Sequence, residues 1–375
     1  MGERGPKPSF VDVPCPNKDC KDYGKIENEN VVGNGTYPTK NGTVHKYICR
    51  TCSKSFTSRA NTILHDLRTD EKTIFLALKM ILKGISLRST AETLEIKVDT
   101  VRRWLQISAE HSEEVNKVLM KDLDVNKVEL DELWTFVKKK TFPSMGCESK
   151  KERWIWLSFA TEHRLILSAQ VGDMTQKAAN SIVKQTCDRI NENNLPLFVT
   201  DGRKYYKQAL LNRYSYIKEF PRTGKRGRPR KPKQMPLKKL RYAQIVKKRD
   251  DKSLVSITKR IIFGDPDSIK DSEISTSHIE RENLNLRQEN KRLARKTLAY
   301  SKKDKWLQHS ISLQMTAHNF TRPHFALKKD NLKKIKDKVW KKYDKITPMM
   351  SIGITKHIWN LKELLTYPYH KNISI

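Results

Sequence analysis

Four cysteines in the first 52 residues constrain this chain before anything else does. Cys15 and Cys20 form one close pair and Cys49 and Cys52 another, with 28 residues between them. Two close pairs, each on a tight turn, can bring four thiolates to one point, the arrangement of a tetrahedral Zn2+ site. The spacer carries Gly33, Gly35, Pro38, Asn41 and Gly42, which read as hairpin turns. Val44 to Ile48 reads as a short strand. The segment holds too few apolar residues to fold unaided, so bound metal would supply much of its stability. Residues 1–60 are therefore expected to form a zinc ribbon with Cys15, Cys20, Cys49 and Cys52 as ligands.

Compartment and charge narrow the partner. No run reaches the ~18 apolar residues of a membrane span, and Met1 to Phe10 contains no apolar leader core. A cytoplasmic, reducing setting follows as the expectation, and it favours metal over disulfides for the clustered cysteines. Lys and Arg total 75 against 42 Asp and Glu, a formal net charge of +33. An excess spread along the whole chain points to a long polyanion, with contacts at many places. Double-stranded DNA, as in the nucleoid, is such a partner.

Residues 62–118 carry helical periodicity. Ile74, Leu78, Ile81 and Leu82 recur at helix spacing, Lys83-Gly84 closes that helix, and Ser86 caps a second one. Glu95 to Lys97 reads as a turn. A third helix from Asp99 to Leu105 would pack Val101, Trp104 and Leu105 inward. Thr100, Arg102 and Arg103 would then face out, as on the recognition helix of a helix-turn-helix. A plain helical bundle shares this pattern.

From 125 to 320 the pattern changes. Val128–Val137, Trp154–Ala160 and Arg164–Val171 read as strands. Thr175–Asn191 reads as a helix, Leu195–Thr200 as a buried strand, and Tyr205–Arg213 as a second helix. A short strand near 217–220 would follow. This β-β-β-α-β-α-β order is that of an RNase H-like domain. It places Asp131 on the first, central strand and Asp201 at the end of the fourth, beside it. A later helix, Ile279–Gln288, offers Glu280 and Glu282. Strand alternation is taken to turn Glu129 and Glu132 away from Asp131. Hard oxygen ligands suit Mg2+ or Mn2+, and three converging carboxylates could hold two such ions roughly 4 Å apart.

These residues carry a family resemblance. Glu-Leu-Asp131-Glu-Leu-Trp-Thr-Phe-Val, Val-Thr-Asp201-Gly, and Ile-Glu280-Arg-Glu-Asn-Leu-Asn-Leu-Arg-Gln with the following Arg-Lys-Thr-Leu-Ala-Tyr-Ser-Lys302 resemble transposases of the insertion-sequence-1 family. The cysteine pairs and helix-turn-helix look like that family's end-binding region. The segment from Thr347 onward looks like the C-terminus of its single-frame members. In the family's Ile-Glu-Arg-x-Asn pattern the catalytic Glu precedes Arg, which selects Glu280 over Glu282. The resemblance implies a DDE recombinase with catalytic Asp131, Asp201 and Glu280. Such enzymes cut at the element's terminal inverted repeats and join the freed 3′ ends to target DNA, with synapsis favouring a homodimer or higher oligomer.

The remaining basic residues fit DNA contacts. Arg281, Arg287, Lys291, Arg292, Arg295 and Lys296 would lie near the scissile phosphate, or form a solvated basic face. A basic insertion at about 221–275 opens with Arg226-Gly-Arg228-Pro, which resembles an AT-hook and reads equally as a charged linker. Residues 321–375 form a basic tail. Within it Lys328–Lys345 reads as a helix that would meet either DNA or a second subunit. The expected fold is multidomain α+β: zinc ribbon, helix-turn-helix, RNase H-like catalytic domain with its insertion, and a helical tail.

Overall fold

The computed structural model describes residues 10–40, 42–138, 152–220, 230–250, 253–331 and 343–369. The chain divides into two compact units, residues 1–119 with 357–375, and residues 120–356.

The first unit begins with a three-stranded antiparallel sheet of β1 (Val31–Thr39), β2 (Gly42–Cys49) and β3 (Ser55–Thr57), in that order. Gly42 closes the β1–β2 hairpin at φ +92°, a left-handed conformation that favours glycine. Gly35, at φ +89°, sits where the β1–β2 register slips between Gly33 and Thr36. Pro38 lies inside β1 and not in a turn, on a strand that has β2 as its one neighbour in the sheet. The core of this sheet is thin: Val31, Val32, Val44 and Tyr47 are its buried residues besides the cysteines.

Three helices follow. In α1 (Glu71–Leu82), Asp70 accepts a bond from the Thr73 amide. In α2 (Leu87–Thr93), Ser86 does the same for Ser89. These caps satisfy amides that the first helical turn leaves without partners. Gly84 and Glu95 take positive φ in the two connections. The third helix, α3 (Val98–Leu119), runs well beyond Leu105, because Ala109, Val115 and Leu119 continue its buried stripe. Residues of the expected tail complete this unit. The carbonyl of Leu365 accepts from the Ile63 amide at 3.2 Å, and His111 Nε2 lies 3.2 Å from the Leu364 carbonyl.

The second unit is built on a six-stranded mixed sheet. Its strands are β4 (Lys127–Phe136), β5 (Glu152–Ala160), β6 (Leu165–Gly172), β7 (Leu197–Asp201), β10 (Arg241–Asp250) and β11 (Ser253–Phe263), in the order β11-β10-β7-β4-β5-β6. β4, β5 and β6 are antiparallel neighbours. β7 runs parallel to both β4 and β10. Helices α4 (Gln176–Cys187) and α5 (Lys204–Arg213) flank β7 in sequence. On the sheet face that carries Leu133, Ile155 and Leu157, the core is completed by Ile279 and Leu286 of α6 (Ser277–Glu289) and by Leu307, Ile311 and Met315 of α7 (Asp304–Thr321). Among the described residues, no helix is long and apolar enough to cross a membrane.

One strand assignment needs correction. The segment near 217–220 does not join the large sheet. β8 (Ser215–Lys218) pairs with β9 (Lys233–Pro236) in a separate ribbon, and Ile217 is 70% exposed. The place beside β7 goes to β10, from within the expected insertion. Burial explains the choice: Tyr242, Ala243 and Ile245 are buried on consecutive positions of β10, as a strand covered on both faces requires. The Leu254–Phe263 strand exists as β11, at the edge, where Val255 and Ile257 are exposed.

Candidate metal centres and active site

In the first unit the four cysteine side chains converge. Cys15 Sγ lies 3.7 Å from Cys52 Sγ, and Cys20 Sγ lies 3.8 Å from Cys49 Sγ. A disulfide needs about 2.05 Å. A tetrahedron with Zn–S bonds of about 2.3 Å has edges of ~3.8 Å, so the spacing suits a shared ion. Burial pushes the Cys15 and Cys20 thiols above their ordinary range, a penalty that a cation at the centre offsets. The Asp22 amide points at Cys20 Sγ (3.4 Å) and the Asn30 amide group at Cys49 Sγ (3.6 Å), both donors that stabilise sulfur carrying negative charge. The four residues could hold a metal ion.

In the second unit β7 stops at Asp201 while β4 runs on to Phe136. The last β4–β7 pair is Leu130 with Thr200. Beyond it the sheet has a notch, and the acids gather there. One carboxylate oxygen from each of Asp131, Glu132 and Asp201 lies within 4.8 Å of the others, an arrangement that could hold a metal ion. Burial, then the charges of Asp201 and Glu280, push the Asp131 carboxyl up to about 7. Burial, then the charge of Asp201, push Glu132 up to about 8. Burial raises Asp201 as well. Carboxylates this crowded resist ionisation unless a cation joins them, and hard oxygens of this kind fit Mg2+ or Mn2+.

Glu280 stands at the edge of this group. Lys247 of β10 pairs with it, and Thr276 Oγ1 donates to it at 2.8 Å. It shares a helix face with Asn283, whose amide donates to Asp131 Oδ2 at 2.7 Å. The structure thus brings Asp131 and Asp201 together and holds Glu280 beside them on Lys247, outside the three-carboxylate group. Glu282 points elsewhere. It is buried, 3.4 Å from His318 Nδ1, and accepts from Asn285.

The flanking glutamates depart from expectation, each for its own reason. Glu129 is two residues from Asp131 and therefore shares its face. It accepts from the Ile279 amide at 2.8 Å and pairs with Lys127 at 2.9 Å, which ties α6 to the sheet. Glu132 does start on the opposite face. Because β7 ends beside it, its carboxylate reaches through the notch and rejoins Asp131. Sequence reasoning also passed over Arg203, Lys247 and Asn283. Arg203 Nε lies 3.4 Å from both Glu132 and Asp201, its amide donates to Asp201 Oδ1 at 3.0 Å, and its guanidinium lies over Trp154. The available signals were position: Arg203 follows Asp201-Gly, and Asn283 lies one turn after Glu280.

The basic candidates divide. Arg103 of α3 is exposed, Thr100 is half-buried, and Arg102 pairs with Asp99. Arg281, Lys291 and Arg295 are exposed. Arg287 is not available to phosphate: its guanidinium donates to the carbonyls of Leu293 (2.6 Å) and Trp134 (2.9 Å). Arg292 similarly donates to Ser301. Helical spacing breaks at Glu289, where α6 ends, so Lys291, Arg295 and Lys296 lie beyond the helix. Arg226 and Arg228 of the AT-hook-like segment lie outside the described residues, as does most of Lys328–Lys345.

Residues 258–321, which include α6 and α7, match the family model described as IS1 transposase. No match is found among curated proteins. Among solved structures the chain is similar to Mos1 transposase complexes. The strand transfer complex shares 11% identity over 39% of this chain and 55% of that chain, at a TM-score of 0.17. The paired-end complex with left transposon end shares 10% over 39% and 57%, at 0.16. The chain spans little more than half the length of these structures.

Proposed function

We propose that this protein is the transposase of an insertion sequence, a DDE recombinase that cuts DNA at the element's ends and joins the 3′ ends to target DNA. The observation that carries the reading is the pairing of Asp131 and Asp201 on neighbouring parallel strands, with Glu280 beside them on a helix inside the matched family segment. The strand sequence β6-β5-β4-β7-β10, antiparallel then parallel, supports an RNase H-like catalytic fold.

In this reading Asp131, Asp201 and Glu280 hold Mg2+ or Mn2+. When bound, such ions activate the attacking water or 3′-hydroxyl and stabilise the leaving oxygen. Asn283 orients Asp131. Glu280 is free to join the other acids once Lys247 releases it, and Lys247 then becomes a cation beside the reacting phosphate. Cys15, Cys20, Cys49 and Cys52 hold Zn2+ in a ribbon. The ribbon and the α1–α3 helix-turn-helix bind the terminal inverted repeats, with Thr100 and Arg103 toward the bases. Arg281, Lys291 and Arg295 meet phosphates. The working form is a homodimer or higher oligomer assembled on the DNA, in the nucleoid.

The test is a cleavage and strand-transfer assay on the element's terminal DNA with Mg2+ or Mn2+, comparing wild type with Asp131→Asn and Glu280→Gln. Joined products that vanish in both variants are expected. Joining that survives Glu280→Gln would remove Glu280 from the site. Cleavage without joining in the wild type would make the protein a nuclease, and end binding without any chemistry would make it a regulator.

A further inference from the structure

Glu132 is buried without a sufficient partner. Its side chain is 1% exposed, and among the described residues its Oε1 has no hydrogen-bond partner, although the buried Tyr206 hydroxyl faces this carboxylate and is itself unbonded. The cation nearest its other oxygen is Arg203, whose Nε is shared with Asp201 at 3.4 Å from each. Arg203 is itself 39% exposed, drawn toward solvent over Trp154. A desolvated carboxylate oxygen left unbonded is costly. A protein tolerates that where the oxygen has work to do once another group arrives.

The strand geometry says how the Glu132 carboxylate comes to lie beside Asp131 and Asp201. On the β10 side β7 pairs as far as Asp201, with Ile245, and on the β4 side only as far as Thr200. Asp131 and Glu132 are the first β4 residues past its last pair with β7. There the two faces of the sheet communicate, so adjacent residues that normally diverge can present oxygens to one point. Glu129, still opposite Val199, has no such opening and bonds to α6 instead.

We propose that Glu132 is a fourth acid of this site, which ligates the divalent cation together with Asp131 and Asp201 while Arg203 holds the carboxylates in place until the cation binds. The inference rests on the transposase reading above for the identity of that cation. It differs from that reading in assigning a ligand outside the three DDE acids. A residue that served only as Arg203's ion-pair partner would share Glu132's burial. It would not also place a carboxylate oxygen within 4.8 Å of one from Asp131 and one from Asp201.

The experiment is a Mn2+ titration of the full-length protein without DNA and with zinc present, read from the electron paramagnetic resonance of free Mn2+. Wild type is compared with Glu132→Gln, Glu132→Asp, Arg203→Gln, Asp131→Asn and Asp201→Asn, and thermal unfolding is recorded for each. Glu132→Gln is expected to weaken Mn2+ binding at least tenfold. Glu132→Asp, which keeps the charge and shortens the reach, should fall between, and would decide the matter if Glu132→Gln failed to fold. Arg203→Gln should bind Mn2+ as well as wild type or more tightly. Binding by Glu132→Gln within twofold of wild type, while Asp131→Asn and Asp201→Asn lose it, would overturn this inference alone. So would an Arg203→Gln loss equal to that of Glu132→Gln. Unchanged binding in Asp131→Asn and Asp201→Asn would remove the metal site itself and the inference with it.

Discussion

Replacing Asp131 with Asn should make the metal-free catalytic unit more stable while abolishing cleavage, and the gain should depend on pH in a set direction. Burial and the neighbouring acids raise Asp131 from 3.8 to about 7 in the folded state. A carboxyl raised on folding binds its proton more tightly in the native state than in the unfolded one. Its ionisation therefore opposes folding, starting above the unfolded value near 4 and reaching a plateau above 7. At about 1.36 kcal/mol per unit, the full cost at pH 8 is about 4 kcal/mol. At pH 5 it is only about 1.5 kcal/mol, because the native carboxyl keeps its proton. Asn carries no charge and can still meet Asn283 across the same 2.7 Å contact by turning its amide. Chemical denaturation followed by tryptophan fluorescence, without Mg2+ or Mn2+, measures both values. The gain from Asp131→Asn should shrink by about 2.5 kcal/mol between pH 8 and pH 5, and added Mn2+ should stabilise wild type more than the variant. A variant no more stable than wild type at pH 8, or equally stabilised at both pH values, would refute the account of crowded, buried acids.

Three further outcomes are expected. Cys49→Ser should lose zinc and unfold the ribbon, seen as metal release by a chromogenic chelator and loss of end-DNA binding. In the first unit, burial lowers His111 from 6.5 to about 4. The unfolded state takes up this proton first as pH falls through 6.5, so the unit should lose about 3 kcal/mol by pH 4 and nothing above pH 7, as urea titrations at several pH values would record. DNA binding should fall by about 10³–10⁵ between ~50 and ~200 mM salt if about ten phosphates are contacted, and a flat response in filter binding would contradict the role given to the basic surface.

What the sequence revealed depended on how local the cause was. The cap at Ser86 and the buried stripes of α1 and α4 follow from residues within one or two turns, and α1, α2 and α4 stand close to where periodicity places them. Asp201 was legible as a candidate because a strand end is a local feature, and Asp131, in the middle of β4, because the element order puts that strand beside β7. The exchange of β8 for β10 beside β7 was not. Both segments read as strands, and only burial on both faces separates Tyr242-Ala243 from Tyr216-Ile217. Glu132 was misplaced because alternation assumes a neighbouring strand on each side, and β7 ends one residue too early for that. Lys247 reaches Glu280 across 33 positions of sequence, a distance at which no pattern speaks.

The two cations at the notch suggest how a strongly basic chain presents acids to a polyanion. Bare, Asp131, Glu132, Asp201 and Glu280 would repel a phosphate backbone. Arg203 sits between Glu132 and Asp201, and Lys247 holds Glu280. Unit charges at ~4 Å interact by about 4 kcal/mol near a protein surface, so the two cations offset half of the acids' formal charge, and the raised Asp131 and Glu132 carboxyls limit the rest without a divalent ion. DNA binding should therefore not require Mg2+ or Mn2+, although cleavage does. Removing both cations, in Arg203→Gln with Lys247→Gln, should make end binding depend on the metal. In a mobility-shift assay with and without Mn2+, wild type should bind equally well in both conditions and the double variant at least tenfold better with the ion. Metal-dependent binding by wild type would show that these two side chains do not balance the acids, and that the ion must be in place before the DNA.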